Sequence, residues 1–272
     1  MRAYLRTAGL LVFAVGSLGP YAWLAANAFR TRTEITASPP RLPSKFSLEN
    51  FSWVYNGQNL IDLIANSAIV SGGTVCLSFL IGVPAAYYFA RQKSGVARNL
   101  FLLVLATRMA PPIALSLPMF VLFTEIGLRG TYMAPIAAHT IFSIAFVVWF
   151  LEGFVSDIPK EVEMAAQVDG RSRLGALLGV VLPALRMPLV ATAAFVALFS
   201  WNEYMMASLL TSSTTRPLTP ALPGFIAQAT SQWGSFCAVA LVSTLPALAV
   251  AAFCRRFLAR AFSAGMVNDA EG

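Results

Sequence analysis

Charge is scarce in this chain: 11% of residues are Asp, Glu, Lys or Arg, against about 25% in soluble domains. There is a single histidine, His139, and three cysteines, Cys76, Cys237 and Cys254, none of them at metal-ligand spacing. A site built on two histidines is therefore excluded, no disulfide is implied, and the cysteines read as small buried hydrophobes. Also missing are a Gly-x-x-x-x-Gly-Lys-Ser/Thr phosphate loop, a His-Glu-x-x-His string and a Gly-x-Ser-x-Gly string. Those absences weigh against an ATPase, a zinc hydrolase and a serine hydrolase. Hydrophobic residues, at 57%, fill the space that charge leaves.

That excess is organised in long runs. About 20 apolar residues suffice to cross about 30 Å of hydrocarbon as a helix. Six stretches qualify: Ala8 to Ala28, Ser67 to Ala90, Leu100 to Phe123, Met133 to Phe154, Leu189 to Leu210 and Trp233 to Phe257. They are too long and too continuously apolar for barrel strands, so the expected fold is all-α, a polytopic protein of six transmembrane helices. The first run follows Arg2 and Arg6 as a secretory signal would, but its length and its Pro20, Tyr21 and Trp23 favour a retained interfacial anchor.

Basic residues orient the spans. With the amino terminus inside, the inner segments carry Arg2, Arg6, Arg91, Lys93, Arg98, Lys160, Arg171, Arg173, Arg186, Arg255, Arg256 and Arg260. The outer segments carry half as many: Arg30, Arg32, Arg41, Lys45, Arg129 and Arg216. Both termini are expected in the cytoplasm. The net charge of +7 calls for no nucleic-acid partner, because it is spread over span ends and forms no patch.

Two polar segments stand out. The outer loop from about Arg30 to Asn66 contains Pro39, Pro40 and Pro43, and then Ser47, which can cap a short helix. On the inner side, between the fourth and fifth spans, Ser156 to Gly170 reads as one short helix with a capping serine, Pro159 in its first turn and a terminal glycine. Its Ile158, Val162, Ala165 and Ala166 share a face, with Lys160, Glu161, Glu163 and Gln167 largely elsewhere. A second helix is expected from Ser172 through Leu174, Leu177, Leu178 and Val181 to Pro183. The result is a helix-turn-helix whose small side chains admit the close approach of another backbone. The pattern also allows it simply to tuck beneath the bundle.

The same residues resemble the loop of inner-membrane permease subunits of ATP-binding-cassette importers. That loop reads Glu-Ala-Ala, three residues, Gly, nine residues, an aliphatic residue, one residue, Leu-Pro; here it is Ala165-Ala166, then Gly170, and Val180-Val181-Leu182-Pro183. Met164 replaces the motif's glutamate, and Glu163 lies one position earlier. Thr107-Arg108-Met109-Ala110-Pro111-Pro112, Trp201-Asn202-Glu203-Tyr204, Trp233-Gly234 and a tail containing Gly265 resemble the carbohydrate-uptake branch, the maltose-permease-like second subunit.

The resemblance implies a single permease domain over residues 1–272, with a core of about 61–258 and a coupling loop of about 155–187. It implies a multi-pass protein of the bacterial inner membrane that forms half of a pore for a sugar or polyol, and no enzyme. Its partners would be a homologous permease, two ATPase subunits and an extracytoplasmic, periplasmic or lipid-anchored binding protein; it would hold no cofactor, ATP being bound by the ATPases. Glu163, Ala165, Ala166, Asp169, Gly170, Leu182 and Pro183 would meet an ATPase. An importer permease for an amino acid, peptide or ion is the alternative. A channel or secondary transporter would show a filter motif or paired broken helices, and neither is evident.

Ionisable groups within spans cost about 2.5–3.5 kcal/mol on insertion scales and often mark a solute path. Arg108 lies about ten residues into the third span, near the midplane at about 1.5 Å per residue, and is expected to pair with a carboxylate or with carbonyls freed by Pro111 and Pro112, which break or kink that span. His139, Asn202, Glu203 and Tyr204 are expected at comparable depth to one another. Together with Arg108 these residues either contact a sugar's hydroxyls or hold helices together.

Overall fold

A computed structural model describes residues 2–35, 44–57, 59–227 and 232–268, and these contain helices and loops with no strand. Pro39, Pro40, Arg41 and Pro43 lie outside the described residues, as do the side chains of Cys254, Arg255, Arg256 and Arg260. In chain order the helices are α1 (Arg2–Ala28), α2 (Arg32–Ile35), α3 (Glu49–Gly57), α4 (Leu60–Arg91), α5 (Gly95–Thr107), α6 (Pro112–Glu125) and α7 (Met133–Ser156). They continue as α8 (Lys160–Val168), α9 (Arg173–Ala176), a π-helical turn (Leu177–Val181), α10 (Leu182–Ala184), α11 (Arg186–Asn202), α12 (Met205–Leu210), α13 (Leu218–Ala227) and α14 (Trp233–Asn268).

Among the described residues, four helices are long and apolar enough to cross a bilayer: α1 from Arg6, α4, α7 and the first part of α14. Two more candidates are bent pairs, α5 with α6 at 90° and Arg173–Ala184 with α11 at 81°. The first bend falls where Pro111 and Pro112 interrupt the third apolar run, as their missing donors predict. The fifth run is also interrupted: α11 ends at Asn202 and the chain restarts as α12 at Met205.

The described helices divide into two units. In the unit formed by the chain up to Ala65 with Leu218–Leu248, the end of α1 is fastened to α3. Asn50, 1% exposed, donates to the carbonyls of Ala28 (3.0 Å) and Arg30 (2.7 Å), which the end of α1 leaves without helical partners. Gly234 explains itself here, because a Cβ at that position would stand 2.6 Å from the Asn50 amide. Ser47 accepts from the Glu49 N–H at 3.2 Å at the start of α3. Ala28, Cys237 and Ala238 form the small core, with Leu24 and Phe51 against it.

In the unit centred on Asn66–Pro217, α7 is the most buried long helix. It crosses α4 closely at Gly73 and Gly82, where an added Cβ would come within 2.5 Å of Ile136 and 2.7 Å of Val147. Ala86, Val147, Leu151 and Val196 form one core cluster, and Phe123, Ala134, Ala138, Phe142, Met206 and Leu210 another. Asn66 ties the start of α4 to the loop after α12: its amide donates to Thr214 (3.0 Å) and Arg216 (2.9 Å) carbonyls while Tyr132 donates to its oxygen at 2.7 Å.

Cys76 departs from expectation. It is exposed, because it lies on the same side of α4 as the exposed Ile69 and Leu80, an apolar outer surface rather than the core. Cys237 is buried as expected.

Candidate functional site

The helical hairpin forms at the predicted place with different detail. Ser156 is the last residue of α7 rather than a cap, because Val155 is drawn into a core cluster with Ala90, Leu177, Val181 and Leu185 and the helix runs on with it. Pro159 instead takes the cap position of α8. The C-terminus follows the glycine expectation closely: Gly170 has φ +87°, its N–H bonds to Gln167 O at 3.0 Å, and Arg171 N–H bonds to Ala166 O at 3.0 Å. This pair of bonds is a Schellman closure, which needs a left-handed residue at Gly170. Ser172 then starts the next helix, accepting from Gly175 N–H at 3.0 Å.

The two faces of α8 are also distributed differently from the sequence expectation. Glu163 and Ala166 point inward, while Val162, Met164, Ala165, Gln167, Val168 and Asp169 are exposed, Val168 at 87%. The cause lies on α4. Glu163 forms an ion pair with Arg91, whose Nε donates at 2.8 Å, and accepts from the Tyr87 hydroxyl at 2.7 Å. Arg91 also donates to Ile158 O at 3.1 Å, holding the loop that leads into α8. Turning the carboxylate inward presents Met164, Ala165 and Val168 outward. Past the turn, Gly170 and Pro183 are exposed and Leu182 is half-buried against the core cluster.

The polar residues within the apolar helices separate into two places. His139, fully buried on α7, bonds through Nδ1 to Ser200 Oγ (2.8 Å) and through Nε2 to Glu203 Oε2 (3.1 Å). Glu203 also accepts from the backbone N–H groups of Met205 (2.9 Å), Met206 (3.0 Å) and Ala207 (3.0 Å), the orphan donors at the start of α12. Ser200 continues the chain of bonds to Thr74 on α4, which donates to Val70 O at 2.8 Å. Asn202 is not part of this cluster; its amide donates to Leu198 O at 2.9 Å, and Tyr204 is half exposed beside it.

Arg108 lies elsewhere, at the bend between α5 and α6. Its guanidinium carbon is 5.2 Å from the Phe146 ring centroid, within cation–π range, and it takes part in neither ion pair among the described residues. It lines a cavity of about 210 Å³ with Phe142, Ser143, Phe146, Phe195 and Phe199. The phenylalanines were not anticipated, although two pairs four apart, Phe142 with Phe146 on α7 and Phe195 with Phe199 on α11, mark facing stripes in the sequence. Nor were Tyr87 and Arg91, whose partner is more than seventy positions away.

An all-helical chain with several bilayer-length apolar helices, a broken helix beside a polar group and an exposed helical hairpin is a polytopic membrane protein of the permease type. Residues 78–264 match the family described as binding-protein-dependent transport system inner membrane component, and the chain belongs to it. Its members are transporter subunits of the inner membrane. The probable ABC transporter permease protein y4oR of Sinorhizobium fredii is 30% identical over 259 residues, covering 94% of this chain and 92% of the relative. The diacetylchitobiose uptake system permease protein NgcG of Streptomyces coelicolor is 28% identical over 261 residues, covering 94% and 86%. In fold, the chain is similar to the crystal structure of a bacterial ABC transporter involved in the import of the acidic polysaccharide alginate, with a TM-score of 0.79, 19% identity and coverage of 94% and 95%.

Proposed function

We propose that this chain is half of the translocation pore of an ATP-binding-cassette importer for a saccharide. The pore half crosses the bacterial inner membrane six times, with the bent α5–α6 pair as one span and α11 as another, the segment Arg173–Ala184 belonging to the hairpin, as a single permease domain with both termini in the cytoplasm. A homologous permease supplies the other half. Two ATPase subunits bind the ATP, and an extracytoplasmic binding protein delivers the solute. The diacetylchitobiose relative supports a saccharide as cargo.

The observation that carries the reading is the hairpin itself. Its first helix is pinned to α4 by Glu163 and Arg91, and it displays a small and apolar surface of Met164, Ala165 and Val168 that ends in the Gly170 turn. A surface of this kind suits a cleft on another protein, since small residues let backbones approach and apolar ones reward burial. Movement of an ATPase pair would reach the bundle through the Glu163 anchor. Reconstitution of the importer in vesicles tests this: uptake of a saccharide should require ATP on the hairpin side and a loaded binding protein on the other. Uptake without ATP would overturn the proposal.

A further inference from the structure

The cavity at the α5–α6 bend combines three features that a neutral sugar does not require together. It is lined by phenylalanine rings, Phe142 and Phe146 from α7 and Phe195 and Phe199 from α11, with Phe146 and Phe195 packed edge to face at 5.7 Å between centroids along one side. An aromatic lining suits the C–H face of a pyranose. At the mouth lies Arg108, exposed, placed by the helix break and, among the described residues, set over the Phe146 ring. Third, Ser143, 3% exposed, lines the same cavity with its hydroxyl oxygen unpartnered among the described residues. A buried hydroxyl without a partner is an unmet hydrogen bond.

An open apolar groove of about 400 Å³ on the surface shares Arg108 and Phe146 and is bordered by Leu105, Met109 and Trp149, the last two exposed. Arg108 therefore stands between the cavity and an apolar surface groove. A guanidinium at the edge of an apolar cavity, with no ion pair among the described residues, keeps its charge free for an anion. Its planar fork matches a carboxylate with two parallel hydrogen bonds, whereas a phosphate dianion would call for further cationic groups. We infer that this permease half contains a solute subsite selective for uronic acids, with Arg108 binding the sugar carboxylate, Ser143 a hydroxyl, and the phenylalanine rings the sugar face. The inference rests on the saccharide-importer reading and narrows its substrate class.

The test uses the whole importer in nanodiscs without its binding protein, so that selectivity outside the membrane does not enter. Saturation-transfer NMR compares glucuronate, galacturonate and mannuronate with glucose, galactose and mannose. The uronates should bind at least about tenfold more tightly than their neutral counterparts, and Arg108→Gln should abolish that difference, with Arg108→Lys intermediate. Co-purification of the other subunits shows whether each variant assembles. If Arg108→Gln does not assemble, the comparison on the unaltered importer still decides. Equal binding of acids and neutral sugars, no binding of either, or a preference that survives Arg108→Gln overturns the subsite. ATP-driven uptake in vesicles separates the two readings: uptake of saccharides regardless of charge sinks the subsite alone, and uronate binding with no saccharide uptake sinks the importer reading.

Discussion

Glu163 on α8 and Arg91 at the end of α4 form an ion pair between side chains that are 5% and 13% exposed, across 72 positions of sequence. It joins the hairpin to a bilayer-length helix. Removing one partner of a buried pair leaves the other uncompensated, at a cost of roughly 3 kcal/mol or more. Glu163→Ala should therefore lower the melting temperature of the purified importer and reduce ATP-driven uptake far more than ATP hydrolysis. The exchange Arg91→Glu with Glu163→Arg should recover part of both losses. If the exchange is no better than the single variants, the pair is not what carries the coupling.

Gly170 sits in the left-handed region at φ +87°, where a Cβ costs about 1–2 kcal/mol. No atom would meet that Cβ, so the strain is in the backbone alone. Gly170→Val should loosen the Schellman closure and shift the start of α9, leaving hydrolysis of ATP without matching uptake, while Gly170→Asn, which tolerates that region better, should be milder. Equal uptake in all three proteins would remove the turn from the coupling surface.

Much of this architecture was legible in the sequence, for physical reasons that can be named. Runs such as Met133 to Phe154 announce themselves because a bilayer demands length and apolarity together, and Pro111 with Pro112 announces a break because two donors are missing. Gly170 was legible as a helix end because so few residues fit there. The orientation of α8 was not. Periodicity put Val162 and Ala165 with Ala166, yet the face turned inward is decided by where Tyr87 and Arg91 stand, and that depends on how α4 packs. For the same reason the roles of Arg108 and Glu203 looked alike in the sequence, and only the fold separates a group at a cavity from one enclosed by backbone donors.

Outside the long apolar helices, Glu34 offers a direct titration. The Ser44 hydroxyl, the Ser44 N–H at 3.0 Å and the Thr31 N–H at 3.2 Å all bind its carboxylate and hold it down at about 2, against an ordinary 4.5. A depressed carboxylate favours the folded tether fully above about pH 4.5 and loses that contribution as the pH falls through the range down to about 2. Carbon-13 NMR of the Glu34 carboxyl should show a midpoint near 2 that rises toward 4.5 in Ser44→Ala. A midpoint already near 4.5 in the unaltered protein would show that Ser44 makes no such tether.

Glu203 decides how the polar residues of the fifth apolar run should be read. Its two oxygens meet three backbone donors of α12 and His139 Nε2, which occupies the acceptor sites that a sugar hydroxyl would need. A group so engaged positions α12 against α7, and its substitution is expected to leave solute selectivity alone. In Glu203→Gln the amide nitrogen must face at least one of these donors, and a lost charge-assisted bond costs about 1.5–3 kcal/mol. The expected outcome is a lower melting temperature of the importer with an unchanged ratio of uptake between two saccharides. Arg108→Gln should do the reverse, altering the ratio with little effect on melting, because the side chain is exposed and, among the described residues, rests on the Phe146 ring. Were Glu203→Gln to change selectivity at constant stability, the carboxylate would belong to the solute path and the assignment of the two residues would have to be exchanged.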